Sequence, residues 1–82
     1  MTTTESTKPV TIAVSFCKND GKALFGVKAG MPVGYALEQA SILMKCVEWL
    51  MLNGTGKSVE TDTAQYLNDM ARALVDACHP AV

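Results

Sequence analysis

Positive charge is scarce in this sequence, and what there is stays scattered. Seven basic residues stand against eight acidic ones, for a net charge of −1. Lys8, Lys18, Lys22, Lys28, Lys45, Lys57 and Arg72 form no stripe along the chain. A surface that neutralises nucleic-acid phosphates needs such charges gathered together, so DNA or RNA binding is not expected. Histidine occurs once, as His79, and cysteine three times, as Cys17, Cys46 and Cys78. Three distant cysteines cannot make a disulfide framework. With no leader-like segment ahead of them, the expectation is a protein of the reducing cytoplasm. Zinc requires three or four converging ligands, and Cys78-His79 has no companion pair, so neither a metal nor a cofactor is expected. Long apolar runs are missing as well. The stretch from Val47 to Leu52 contains Glu48 and falls far short of the roughly 20 residues of a membrane span. No nucleophile–base or paired-carboxylate arrangement is visible, and Glu38 and Glu48 read as groups that solvate a helix face. No catalytic residue is expected, and the chain reads as a non-enzyme.

What is plentiful is apolar side chain: 49% of the 82 residues are hydrophobic. A single domain of this size buries only roughly 60–65% of its unfolded surface, so the surplus points to a second surface hidden by something else. The expected organisation is a flexible tail over 1–9, one domain over 10–79 and a short end at 80–82.

From Val10 the chain alternates, with Val10, Ile12, Val14 and Phe16 on one face and Thr11, Ala13, Ser15 and Cys17 on the other. Period two with β-branched residues predicts a half-buried strand over 10–17. Asp20-Gly21 supplies the positive φ angles of a tight hairpin turn, and a second strand follows over 23–29. Taking Asp20 and Gly21 as the loop fixes a register: Phe16 faces Phe25, Val14 faces Val27, and Ile12 faces Ala29. Pro32 suits the start of a helix, which should run to Leu52 and stop near Asn53-Gly54. A second helix should begin between Ser58 and Asp62, where Asp62 and Gln65 have capping-box spacing, and end at Cys78 before Pro80. The fold class is therefore α+β, a hairpin followed by two antiparallel helices (ββαα).

At about 100° per residue, the first helix carries two apolar stripes. Val33, Ala36, Leu37, Ala40, Leu43, Met44, Val47, Leu50 and Met51 make the main one. Tyr35, Ile42, Cys46, Trp49 and Leu52 make another, turned away from it. The second helix is simpler: Leu67, Met70, Ala71, Leu74 and Cys78 face inward, flanked by Tyr66, Ala73 and Ala77. One buried face suffices for an amphipathic helix. The second stripe calls for a cover, and a second copy is the simplest. The alternatives are a monomer with hairpin and second helix on opposite sides of the first, and a different partner protein.

Gly54-Thr55-Gly56-Lys57-Ser58 ends like a phosphate-binding loop, but the leading glycine would fall at Met51 and the string follows a helix rather than a strand. It reads as a helix–helix linker.

The string from Phe25 to Pro32, then Ala36 to Ser41 with Leu43, resembles a family of short bacterial proteins common in pseudomonads and catalogued as a domain of unknown function. Tyr66-Leu67 and Met70 to Val75 are similar to its C-terminal half. The resemblance covers about Ala23 to Val75 and implies a bacterial cytosolic protein, with no activity or cofactor attached. The functional expectation is a small interaction module, an adaptor, inhibitor or regulator, that dimerises through Tyr35, Ile42, Cys46, Trp49 and Leu52. An apolar-ligand module using Tyr35, Cys46 and Trp49 is the alternative, and a transcriptional regulator the weaker one.

Overall fold

A computed structural model describes residues 9–79. The tail expected over 1–9 lies, as far as Lys8, outside the described residues, as does the end at 80–82. Strands β1 (Val14–Asn19) and β2 (Lys22–Val27) form an antiparallel hairpin, followed by helices α1 (Val33–Asn53) and α2 (Ser58–Cys78). This is the ββαα order that the sequence implies.

Asp20 (φ 53°) and Gly21 (φ 76°) both occupy the left-handed region, as a two-residue hairpin loop requires. Phe16 faces Phe25 and Val14 faces Val27, and the two phenylalanine rings stack with centroids 5.7 Å apart. Between Phe16 and Lys18 the ladder skips the pair of Cys17 with Leu24, because Cys17 itself turns to φ 59°.

Three expectations for the first strand need correction. The ladder starts at Val14 rather than Val10, and Ile12 does not pair with Ala29. Thr11, assigned by alternation to the outer face, is 2% exposed and is the buried polar residue of the core. Its N–H donates to the Met31 carbonyl (2.8 Å) and its carbonyl accepts from the Gly30 N–H (2.9 Å). Its hydroxyl donates to the Lys28 carbonyl (2.7 Å) and accepts from the Met31 N–H (3.1 Å). The 28–31 turn wraps around this one side chain, with Gly30 at φ 86° making the reversal. Val10 and Ile12 are consequently left about half exposed. Hydrogen bonding outweighs hydrophobic alternation here, because the turn's buried polar groups need partners.

Pro32 stands just before α1 as its N-cap, and the free Val33 N–H donates to the Pro9 carbonyl (3.3 Å). The helix stops at Asn53, where the Gly54 N–H donates to the Leu50 carbonyl (2.8 Å). The expected cap of α2 through Asp62 and Gln65 is not formed. Lys57 is the N-cap with no side-chain bond, and Glu60 reaches back into the linker instead.

The helices meet along a narrow seam. α1 contributes buried Val33, Ala36 and Ala40, then half-buried Leu43, Val47 and Leu50; α2 contributes Ala64, Leu67, Ala71, Leu74 and Cys78. The alternating spacing of three and four residues is that of antiparallel helices packed ridge into groove. Leu37, Met44 and Met51, expected on this inner stripe, are 38%, 49% and 77% exposed, because a seam built on alanine is too narrow to reach them. The hairpin rests on α2. There Ala73 and Ala77, expected as a modest flank, are among the most buried residues, and the Ile12 N–H donates to the Ala77 carbonyl (3.0 Å).

Candidate interaction surface

α1 forms because its interior consists largely of good helix formers, with a proline before it and a glycine after it. With α2 on one side and the hairpin on α2, the remainder of α1 faces outward. Tyr35 is 53% exposed, Ile42 46%, Trp49 62% and Leu52 77%, and Cys46 is exposed with them. Every residue of the expected interface is thus brought to the surface of one helix. At the end of the row, the Asn53 side-chain amide donates to the Trp49 carbonyl (3.1 Å), closing the last turn.

The residues buried among those described are all small or medium: Val33, Ala36, Ala40, Ala71, Ala73, Ala77, Cys78 and Thr11. Leu43, Leu50, Leu67 and Leu74 are half-buried in the seam, and Tyr35, Trp49, Met51 and Leu52 are more than half exposed. Exposed large apolar side chains also occur on the hairpin and α2, among them Leu24, Phe25, Val59 and Tyr66, and the Tyr35–Ile42–Trp49 row is one of these exposed patches.

A second feature is an apolar cleft of about 350 Å³ where the hairpin meets both helices. Phe16, Phe25, Met31, Leu43, Met70 and Leu74 line it, with Lys28 as its charged residue. Phe25 also meets Tyr66 edge-on, with ring centroids 6.5 Å apart. The residues expected to hold an apolar ligand, Tyr35, Cys46 and Trp49, do not line this cleft. The Phe16–Phe25 pairing and the inward-facing Leu43, Met70 and Leu74 were legible singly, but their meeting in one cleft was not, because its walls come from four separate elements.

The linker at 54–57 resolves the phosphate-loop resemblance. The N–H groups of Thr55 (2.6 Å) and Gly56 (3.1 Å) donate to Glu60 Oε1, and the Thr55 hydroxyl donates to Oε2 (3.0 Å). Donors of the kind that cradle a phosphate are occupied by the chain's own carboxylate. These bonds, the Thr55 N–H first among them, hold the Glu60 carboxyl below its ordinary value of 4.5. Cys78 is buried, its thiol directed at the Val33 carbonyl (3.9 Å). His79 is exposed just after the helix end. Among the described residues no three His, Cys, Asp or Glu side chains converge as a metal site, and no helix is long and apolar enough to cross a membrane.

A family model described as "Protein of unknown function (DUF3077)" matches residues 9–81. The chain belongs to that family. The DUF3077 match extends beyond the Ala23–Val75 span of the resemblance and takes in the Thr11 pin, the hairpin and both helices. No curated protein and no solved structure matches the DUF3077 chain.

Proposed function

We propose that this chain is a non-enzymatic protein-interaction module, an adaptor, inhibitor or small regulator in the cytoplasm, working as a homodimer joined through α1. The observation that carries the reading is the outward row of Tyr35, Ile42, Trp49 and Leu52 beside a core made of small residues. These side chains keep about half or more of their surface in water, so covering them gains a part of the about 1.5–3 kcal/mol of full burial, and tryptophan and tyrosine are enriched among interface anchors. Sedimentation equilibrium of the native chain against Ile42→Asp and Trp49→Asp tests it. The native chain should sediment with twice the mass of the variants. Folded variants with the native mass would remove α1 from the interface.

The apolar cleft favours a second reading, a module for a small apolar ligand held by Phe16, Phe25, Met31, Leu43, Met70 and Leu74. A fluorescent apolar probe should bind the native chain and lose its signal in Met31→Glu, which changes the cleft wall at a partly exposed position. Equal signal in both proteins would discard the cleft as a site.

A further inference from the structure

We infer that the partner copy docks antiparallel, about a twofold axis at Ile42, so that Tyr35 of each chain packs on the partner's Trp49. This rests on the self-association reading above and adds the arrangement of the two chains.

Tyr35 and Trp49 each stand seven residues from Ile42, so both lie roughly 10 Å from it along the helix, in opposite directions. Seven residues fall only about 20° short of two full turns, which keeps the three side chains in one row. A row symmetric about its middle residue is complementary to its own reversed copy. The twofold sets Ile42 on the partner's Ile42 and brings an aromatic ring against an aromatic ring at both ends, contacts that favour offset or edge-on packing.

The flanks of the row choose the direction. On the helical wheel Glu38 and Lys45 lie on one side of it, Gln39 and Cys46 on the other. Glu38, Lys45 and Cys46 are exposed. An antiparallel twofold keeps each flank on its own side. Glu38 then comes within about 1.5 Å, along the helix axis, of the level of the partner's Lys45, and the pair is repeated by symmetry. A parallel copy would set Glu38 beside the partner's Gln39 and Lys45 beside the partner's Cys46, leaving both charges without an opposite. Charge pairing of this kind sets direction and register more than strength.

Tyr35, Ile42 and Trp49 at their exposures offer roughly 350 Å² of surface, which with the polar flanks and Leu52 goes part of the way to the roughly 800 Å² per partner of a standard interface.

Disulfide trapping separates the arrangements, with Cys17→Ser as the background throughout. In the antiparallel dimer Gln39 sits beside the partner's Cys46, so Gln39→Cys should give a covalent dimer under mild oxidation. Adding Cys46→Ser should abolish it. The background chain, which keeps Cys46, should stay unlinked, because the two Cys46 positions are separated by about 12 Å along the axis, beyond disulfide reach. Dimers linked through Cys46 alone, or a Gln39→Cys chain that sediments as a dimer without linking, would overturn the antiparallel arrangement and leave self-association standing. Glu38→Lys should raise the dimer dissociation constant about tenfold, and adding Lys45→Glu should restore it; a double variant as weak as the single one counts against the pairing. A native chain that sediments as a single copy overturns the self-association reading itself.

Discussion

Thr11→Val keeps the shape of the side chain and removes its hydroxyl, leaving the Lys28 carbonyl and the Met31 N–H without their partner. Stranding buried polar groups costs about 1–3 kcal/mol, so urea unfolding should show Thr11→Val weaker than Ile12→Ala, although hydropathy alone ranks the two the other way. Glu60 makes a prediction in pH. Its carboxyl titrates below the ordinary 4.5 in the folded chain, so ionised Glu60 stabilises the fold above that value. The contribution is lost as pH falls through the lowered value and both states become protonated. Native protein and Glu60→Gln should therefore differ in stability at pH 7 and converge in acid; a gap that stays constant with pH would mean the carboxylate is not what orders the linker. Neither residue was singled out by the sequence. A threonine in an alternating strand and a glutamate three residues after a lysine carry no pattern, and their importance comes from which backbone groups the fold leaves unpaired.

At the scale of elements, glycines separate two physical demands. Gly34 sits in the first turn of α1 with open space around it, and Gly34→Ala should raise stability by about 0.5–1 kcal/mol. Gly54 has an ordinary backbone, but a methyl group there would run into the Leu50 carbonyl oxygen and come within 2.9 Å of Glu60 Oε1. Gly54→Ala should destabilise despite reducing the freedom of the unfolded chain, and thermal melts of the two variants should move in opposite directions. The elements themselves were legible: the Asp20-Gly21 turn fixed the register of Phe16 with Phe25, and Pro32 and Asn53-Gly54 bounded α1. What could not be read was where the hairpin would lie. Ala73 and Ala77 mark its seat on α2, and alanine is a weak hydrophobic signal even though it is the residue that lets a neighbouring backbone come close. The same narrowness left Leu37, Met44 and Met51 outside a seam in which hydropathy had placed them. The exposure of Tyr35, Ile42, Trp49 and Leu52 was legible as well, because it depended on helix geometry alone.

For the molecule as a whole, a fully buried core of alanine, valine and cysteine is thin, and the proposed dimer would add to the stability of each chain. A protein stabilised by self-association melts at a temperature that rises with its concentration. The native chain should show that rise and Trp49→Asp should not, a difference calorimetry at two concentrations would detect. The bond between Ile12 and Ala77 (3.0 Å) has a topological consequence. It ties the entry to β1 to the last turn of α2, so the described chain runs in a nearly closed ring rather than along an open path. A ring can be cut elsewhere: joining the neighbourhood of Ile12 to that of Ala77 by a short linker and opening the chain between Asp20 and Gly21 should give a circular permutant with the same helical seam.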